Sequence, residues 1–382
     1  MVFVRCPLVP PVVGAWHIAP VSHRSVLGSS AGTGADLLGI KSYICVYGFI
    51  FTRIFLCQRE RSLSLKRGEQ MIISASRRTD IPTYYSDWFL NRVKAGYVYV
   101  RNPMNVHQIS QISLSPEVVD GIVFWTKNPI PMLDKLDALK DYMYYFHFTL
   151  NSYGADVEKN IPSKSKAIIP AFQRLSDLIG PDRVIWRYDP IFFSKAYTMD
   201  YHVHYFEELA KRLAPYTKKC TISFLDLYRN TEKNITALSP YEFSVKQQEQ
   251  LAKSLAEIAH SYGLRIDTCA EGIELQRYGI EHARCIDNQL LEQLIQCPLN
   301  IKKDKSQRLE CGCIESLDIG AYNTCCNGCL YCYANYSEKA AGTSHGKHNP
   351  NSPLLIGEIG PGDKITERRM FSCKASQLRL DL

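Results

Sequence analysis

The sequence predicts an α/β fold, an incomplete (β/α) barrel of about six parallel strands, followed by a cysteine-rich C-terminal module. The first observation behind this prediction is a series of apolar, β-rich runs, each followed by an amphipathic segment with helical spacing. The second is that these runs end in polar and charged residues, as strands do at the edge of a barrel where sites form. The third is the crowding of cysteines late in the chain.

Six apolar runs account for the predicted strands. They are MIISASRRTD, DGIVFWTKNP, YYFHFTLN, RVIWRYDP, CTISFLDLY and LRIDTCAEG. The predicted helices lie between them, in YYSDWFLNRVKAG, IPMLDKLDALKDY, SKAIIPAFQRLSDLIG, MDYHVHYFEELAKRLAPY and SPYEFSVKQQEQLAKSLAEIAHSYG. Strands that alternate with helices are joined by helical crossovers, so this order predicts a parallel sheet.

Composition divides the chain into four predicted parts. Residues 1–70 are rich in Ser, Gly and Pro and show no sustained period, which predicts a non-native or disordered extension. Residues 71–300 hold the alternating strands and helices of the barrel domain. Residues 301–340 hold the cysteine-rich module, and we expect residues 341–382 to form a tail that packs on the barrel.

Two features of the first part bear on where the native chain starts. The apolar stretch from Tyr43 to Cys57 is short for a membrane span and contains Arg53, so a membrane anchor is the weaker interpretation. The letters KRGEQM before Ile72 fit a ribosome-binding site read in frame, because Arg, Gly and Glu codons can spell a purine-rich run. We therefore favour Met71 as the native start.

The net charge and the cysteine content of the chain argue against some classes of function. The chain of 382 residues has a net charge of +7, but residues 1–70 hold eight Lys or Arg against three Asp or Glu, which leaves only +2 for the other 312 residues. The main body therefore carries no strong nucleic-acid or membrane signal. Fourteen cysteines without a recognisable export signal predict a reducing, cytoplasmic location, where clustered thiols indicate metal binding rather than disulfides.

Polar residues at the carboxyl ends of the predicted strands are candidates for a substrate pocket. Taken singly, each has an ordinary structural explanation, since Asp and Asn cap helices and Arg–Asp pairs tie loops together. Taken together, they favour a pocket, in which Arg side chains can hold a carboxylate or phosphate in bidentate fashion. The candidates are Arg77, Arg78, Asp80, Lys127, Asn128, Arg187, Asp189 and Glu271.

The stretch CCNGCLYCYAN contains the most specific pattern in the chain. Without Cys326, its cysteines have the spacing C-x3-C-x2-C at Cys325, Cys329 and Cys332. Three thiolates on one loop can each bind one iron of a [4Fe–4S] cluster, whereas most electron-transfer clusters have four Cys ligands. The fourth iron would then be open to an exchangeable ligand, as in a catalytic metal site.

This motif, with an aromatic residue before its third Cys, resembles the signature of radical S-adenosylmethionine enzymes. The resemblance implies that the open iron binds the amino and carboxylate groups of S-adenosylmethionine. It also implies that the reduced cluster cleaves this cofactor to a 5′-deoxyadenosyl radical, with a reductant such as flavodoxin or ferredoxin as partner. Tyr331, the residue before Cys332, would lie near the adenine.

Residues 71–382 as a whole resemble the bacterial family called DUF1848. The motifs that carry the resemblance are SRRTDIP, VFWTKNP, WRYDPI, CAEG, CID, CGC, SLDIGAYNTC and GCLYCYAN, in this order. It implies a TIM-barrel-like fold with a radical-SAM-like cysteine cluster. Radical S-adenosylmethionine enzymes usually carry their motif after the first strand, whereas here it follows the last. The resemblance therefore implies a permuted arrangement, in which a C-terminal loop reaches the barrel mouth.

The remaining thiols leave alternatives open. Cys269, Cys285, Cys311 and Cys313 are enough for an auxiliary [4Fe–4S] cluster, although Cys269 and Cys285 can equally be small buried apolar residues. A structural zinc site formed by the CGC and CLYC pairs is a further alternative. The thiols left without a role are Cys220, Cys297, Cys326 and Cys373.

Taken together, the sequence predicts an iron–sulfur enzyme that depends on S-adenosylmethionine, with one [4Fe–4S] cluster and a second as an open alternative. The competing interpretation is a redox or zinc-binding module without radical chemistry. The sequence names no substrate.

Overall fold

The computed structural model describes residues 69–226, 234–241 and 244–375. The described strands, in chain order, are β1 (Glu69–Gln70), β2 (Ile72–Ala75), β3 (Tyr97–Asn102), β4 (Asn105–Ser113), β5 (Gly121–Thr126), β6 (Tyr144–Thr149), β7 (Val184–Ile191), β8 (Lys219–Phe224), β9 (Arg265–Thr268), β10 (Ile280–His282), β11 (Leu317–Asp318), β12 (Lys364–Glu367) and β13 (Met370–Phe371).

The described α-helices are α1 (Ile81–Tyr84), α2 (Ser86–Ala95), α3 (Ile130–Leu133), α4 (Ile169–Ile179), α5 (Met199–Leu213), α6 (Val245–Ser261), α7 (Asn288–Ile295) and α8 (Glu338–His345). Short 3₁₀ turns lie at Leu136–Leu139, Pro181–Arg183, Ala214–Tyr216, Thr236–Leu238 and Gln276–Tyr278, and a π-helical turn lies at Lys164–Ile168.

Eight parallel strands form the central sheet, in the order β10-β9-β8-β7-β6-β5-β2-β11. The six predicted runs are β2 and β5 to β9, and the predicted α/β class with a parallel sheet is confirmed. The predicted number of strands was too low, because β10 and β11 also belong to the sheet. These two strands have only three and two residues, so no alternation in the sequence marks them.

The two faces of the sheet pack against different partners. On one face, residues such as Ile73, Phe124 and Trp186 are fully buried in the main core, together with the apolar sides of the helices. On the other face, alternate residues such as Ile72 and Val123 form a second core. Burial of both faces is what the near-continuous apolar runs require.

The second face also carries buried polar side chains. His147 and Arg187 alternate with core residues along β6 and β7, and both are almost completely buried. Thr221 and Asp267 occupy the neighbouring strands β8 and β9 and are also buried. Because side chains alternate between faces, this set lies on the second face of the sheet and leads towards its carboxyl-terminal edge.

Local signals explain most helix ends. Ser244 and Gln247 form a capping box at the start of α6, and Gly96 ends α2 with a φ of 79°, a conformation that glycine adopts readily. The predicted helix IPMLDKLDALKDY is instead the short α3 followed by a 3₁₀ turn. Leu133, Leu136 and Leu139 are buried at intervals of three, which suits a helix with three residues per turn.

The described residues up to 375 that follow α8 belong to the same compact unit as the sheet. Strand β12 pairs with β4 in a three-stranded sheet of order β12-β4-β3, and β13 pairs with β1. Trp88 donates its indole N–H to the carbonyl of Ser352 at 2.9 Å, and Tyr99 N donates to the carbonyl of Pro353 at 2.9 Å. These contacts fix the first part of the predicted tail against α2 and β3.

The expectations for residues 1–68, including the apolar stretch from Tyr43 to Cys57, concern a part of the chain outside the described residues. None of the helices in the described ranges combines the length and the hydropathy of a membrane span.

Candidate functional site

A cavity of about 550 Å³ lies at the carboxyl-terminal edge of the sheet. It is lined by the ends of β2, β5, β7, β8 and β9 and by the loops that hold the C-terminal cysteines. The lining includes six of the eight pocket candidates, the aromatic motif residue and all seven candidate thiols. These are Arg77, Arg78, Asp80, Lys127, Arg187, Asp189, Tyr331, Cys269, Cys285, Cys311, Cys313, Cys325, Cys329 and Cys332. The late cysteine motif therefore does return to the edge formed by the early strands.

The loop that carries Cys325, Cys329 and Cys332 is held by backbone contacts to residues 157–160. Leu330 N donates to the carbonyl of Val157 at 3.0 Å, and Asn160 N donates to the carbonyl of Asn327 at 3.1 Å. Gly328 lies between them with a φ of 66°, and a Cβ there would come within 2.9 Å of the Asn160 side chain. The NG pair in CCNGC therefore serves the tight approach of this loop to its neighbour.

Asp80 connects this loop to two strand ends. Its carboxylate accepts hydrogen bonds from Thr83 N at 3.0 Å, Lys127 N at 2.8 Å and the Asn327 amide at 3.1 Å. The first bond caps α1, so the ordinary capping role of an Asp at a strand end applies here as well. Burial raises the pKa of Asp80, although these donors stabilise its charged form. The geometry identifies Asp80 as a positioning residue for the motif loop.

A buried ionic network surrounds the hydroxyl group of Tyr331. Lys127 Nζ lies 2.7 Å from this hydroxyl and 2.8 Å from Glu158 Oε1. The hydroxyl donates to Glu158, and the Asn151 amide donates to the hydroxyl at 3.2 Å. Lys164 binds the other carboxylate oxygen of Glu158 at 2.5 Å. The network fixes the ring of the motif tyrosine from three sides.

Charge explains why this network is stable. Burial alone would raise the pKa of Glu158, but Lys127 and Lys164 more than offset it and lower the pKa to about 2. Sequence analysis did not select Asn151, Glu158 or Lys164 as site residues. The contact that links this group to the motif joins Glu158 to Tyr331, which are 173 positions apart in the chain, and no local spacing signals such a contact.

The three motif thiols are neutral unless a cation compensates their charge. Burial raises the pKa of Cys325 and Cys332, and it raises the pKa of Cys329 to about 12. Metal ligation requires thiolates, so binding of a metal group here would displace protons. Three soft sulfur donors on one loop, facing a shared cavity, suit zinc or an iron–sulfur cluster.

A second group of thiols lies in the same cavity. Cys269 Sγ and Cys285 Sγ are 3.2 Å apart, and Cys313 Sγ accepts a hydrogen bond at 3.4 Å from the backbone N–H of Ile286, the residue after Cys285. All four are free cysteines. Arg187 Nη1 donates to Cys285 Sγ at 3.0 Å. Cys313 of the CGC pair thus lies beside Cys285, and the CGC and CLYC pairs line the same cavity.

Aromatic and basic side chains form the wall next to this group. The guanidinium of Arg77 lies 5.6 Å from the ring centroid of Trp125, which stacks on His147 at 5.2 Å. His147 Nε2 lies 2.6 Å from the carbonyl of Cys285, and burial lowers the pKa of His147 to about 3, so the ring is neutral. His147 was not among the sequence candidates, because it lies inside an aromatic strand.

The other two arginines differ in their freedom to bind a ligand. Arg187 is buried and paired with Asp189, whose carboxylate also accepts from Ser223. Arg78 is partly exposed in the cavity, lies 5.2 Å from the ring of Tyr322 and approaches Asp318 at 3.9 Å. Arg78 is therefore the better placed of the two to bind an anionic group.

Two candidates do not line the cavity. Asn128 accepts from Ile130 N at 3.3 Å through its side chain, and its carbonyl accepts from Thr83 Oγ1 at 2.8 Å, so it organises the start of α3. Glu271 accepts from Phe224 N at 2.8 Å and ties the loop after β9 to the end of β8. Burial raises the pKa of Glu271 to about 7. The thiols left without a role also lie outside the lining, namely Cys220, Cys297, Cys326 and Cys373.

Within the described ranges, no set of three or more His, Cys, Asp or Glu side chains converges as the ligands of a single metal ion would. The two thiol groups line one cavity, but the thiols of neither group converge on a single position.

Comparison with known proteins gives a family but no activity. The family described as "Domain of unknown function (DUF1848)" matches residues 72–334. No curated protein matches the chain. One solved structure with weak similarity is a GH20 catalytic module of the pneumococcal exo-beta-D-N-acetylglucosaminidase StrH, with 10% identity over 55% of each chain and a TM-score of 0.22. That similarity is too low to support an argument. The family match covers more than half of the sequence, and the chain belongs to the DUF1848 family.

Proposed function

We propose that this protein is an iron–sulfur enzyme that uses S-adenosylmethionine for radical chemistry on a substrate held in the cavity. The observation that carries the proposal is the lining of that cavity. It brings Cys325, Cys329 and Cys332 together with Tyr331 and with charged side chains from the ends of the early strands.

The motif residues fit the group that the proposal requires. Cys325, Cys329 and Cys332 would hold a [4Fe–4S] cluster and leave one iron without a protein ligand. When bound, the cluster would supply the electron that cleaves S-adenosylmethionine, after reduction by a carrier such as flavodoxin or ferredoxin. The bystander Cys326 lies outside the cavity lining, which suits a set of three ligands rather than four.

The chain's own residues would position the reactants and exclude water. Lys127 and Glu158 hold the Tyr331 ring at the cavity wall, where it can contact the adenosyl part of the cofactor. Trp125, stacked on the neutral ring of His147, would shield part of the cavity from water. Arg78 would bind an anionic group of the substrate or of the cofactor.

We further propose that the parallel sheet curls into an incomplete barrel around this site. Ile286 follows β10, and its carbonyl accepts from Ile314 N at 3.2 Å, just before β11. Tyr145 OH in the middle of the sheet donates to the carbonyl of Cys285 at 2.7 Å. Loops would thus join the two end strands where a complete barrel has strand pairing.

The test is an anaerobic assay of the full-length chain. The chain is reconstituted with iron and sulfide, reduced with dithionite and mixed with S-adenosylmethionine, and 5′-deoxyadenosine is measured by liquid chromatography. We expect product from the wild type and from Cys326→Ala, and none from Cys329→Ala. The neighbouring Cys326 is a matched control, because it differs from Cys329 in its place relative to the cavity and not in residue type.

The competing functions give different results in the same assay. A colourless chain with stoichiometric zinc would refute the iron–sulfur proposal. A chain that binds a cluster but never forms 5′-deoxyadenosine would identify a redox module without radical chemistry.

A further inference from the structure

The second thiol group lies apart from the C-x3-C-x2-C loop and has no part in the proposed function. Its members come from three separate segments: Cys269 after β9, Cys285 after β10, and Cys311 with Cys313 before β11. The fold brings them together because the ends of parallel strands meet at one edge of the sheet. From this geometry we infer that Cys269, Cys285, Cys311 and Cys313 bind a second, fully ligated [4Fe–4S] cluster in the wall of the cavity.

Three observations support a site for a metal group rather than four unrelated core cysteines. The four thiols line one cavity although they come from three segments, and the Sγ atoms of Cys269 and Cys285 are 3.2 Å apart. A cation lies against the sulfur atoms, since Arg187 donates to Cys285 at 3.0 Å. The backbone also donates to the group, through Ile286 N to Cys313 Sγ at 3.4 Å. Hydrogen bonds of this kind to ligand sulfurs are common at iron–sulfur clusters.

The arrangement favours a cluster over a single zinc ion. Zinc ligands converge on one point, whereas no such point exists among the described His, Cys, Asp and Glu side chains. The close pair here is C-x-C, while structural zinc pairs typically have two to four residues between them. Four separate cysteines are the usual ligand set of a [4Fe–4S] cluster, because each iron binds a different thiolate.

The position of the group indicates an electron-transfer role. With all four irons ligated by protein, the second cluster has no open coordination position for a substrate. It lines the same cavity as the first cluster site, and Arg187 and Arg77 stand beside it. We assign it the role of relaying electrons to or from the cavity, and its existence does not depend on radical chemistry at the first site.

The test isolates the second site in the full-length chain. The triple variant Cys325→Ala/Cys329→Ala/Cys332→Ala is reconstituted anaerobically, and iron, sulfide and the electron paramagnetic resonance spectrum of the reduced chain are measured. We expect about four iron and four sulfide per chain and a reduced-cluster signal. Adding Cys285→Ser should abolish both, whereas adding Cys297→Ser, a thiol outside the cavity lining, should change neither.

The wild type provides a measurement that does not depend on how the variants fold. It should bind about eight iron per chain if both clusters are present. A wild type with only about four iron that the triple variant loses, or stoichiometric zinc in place of the second cluster, would overturn the inference. If the wild type forms 5′-deoxyadenosine but holds only the first cluster, this inference is wrong and the proposed function stands. A chain with both clusters and no product would contradict the proposed function alone.

Discussion

Replacement of Glu158 by Gln tests whether the buried ionic network fixes the motif loop. Glu158 is 2% exposed and binds Lys127 at 2.8 Å and Lys164 at 2.5 Å. Glu158→Gln keeps the shape of the side chain but leaves two buried ammonium groups without a counter-charge. Loss of one partner from a buried ion pair typically costs about 3–5 kcal/mol.

The pKa of Glu158 gives an independent magnitude. Despite burial, the two lysines lower this pKa from 4.5 to about 2. At 1.36 kcal/mol per pKa unit, that shift corresponds to about 3 kcal/mol in favour of the charged form. Both routes therefore predict that Glu158→Gln lowers the free energy of unfolding by about 3 kcal/mol or more.

The assay is urea denaturation of the metal-free, full-length chain, followed by intrinsic fluorescence. The matched control is Glu338→Gln, because Glu338 pairs with Lys159 next to Glu158 in sequence, but both side chains of that pair are more than half exposed. Exposed pairs contribute little, so we expect no measurable change there. The double variant Glu158→Gln/Lys164→Met also removes one of the two unpaired ammonium groups, so it should recover part of the lost free energy of unfolding. A loss below about 1 kcal/mol for Glu158→Gln, or no recovery in the double variant, would refute the reasoning.

Three further predictions follow from other parts of the molecule. Gly320→Ala would place a Cβ 2.2 Å from Ser76 Oγ, and we expect it to cost about 1–3 kcal/mol in urea denaturation. Gly342→Ala, in helix α8 with no atom within 4 Å of the new Cβ, should instead stabilise by about 0.5–1 kcal/mol, and equal effects of the two substitutions would contradict this account. Burial lowers the pKa of His202 from 6.5 to about 4, so between these values the unfolded chain binds a proton that the folded chain does not. His202 should then contribute about 3 kcal/mol to the change in the free energy of unfolding as the pH drops through this window, and the pH profile of His202→Gln should lack that contribution; a profile identical to that of the wild type would argue against it. Arg187→Lys removes the bond from Nη1 to Cys285 Sγ and should lower the reduction potential of the second cluster in an anaerobic redox titration, whereas an unchanged or higher potential would contradict the assigned contact.

The central strands could be predicted because their long apolar runs have a direct physical cause. Each of the six runs buries both of its faces, so the apolar pattern is continuous and unambiguous. Strands β10 and β11 have too few residues for any period, and their place in the sheet depends on pairing with β9 and β2. The β3–β4 hairpin was also missed, because it is inserted between the first predicted helix and the second predicted strand, and the first residues of β4 are exposed.

The sequence could predict which strand ends meet at the candidate site, because the topology of a parallel sheet alone determines this. Arg78, Lys127 and Cys329 share a cavity because parallel strands end at one edge and the late loop returns to it. Asn128 was misplaced for a local reason, since a polar residue after a strand serves equally well to start the next helix. Glu158 could not be found from the sequence, because only the folded chain brings it to Tyr331.

The most direct test of the central claim asks whether S-adenosylmethionine binds to an iron held by Cys325, Cys329 and Cys332. The reconstituted, reduced full-length chain is mixed with S-adenosylmethionine labelled with ¹³C in its carboxylate, and electron–nuclear double resonance is recorded. We predict a coupling between the label and the cluster in the wild type and in Cys326→Ala, and its absence in Cys329→Ala. A wild-type cluster whose spectrum is unchanged by the cofactor and shows no coupling would contradict the account.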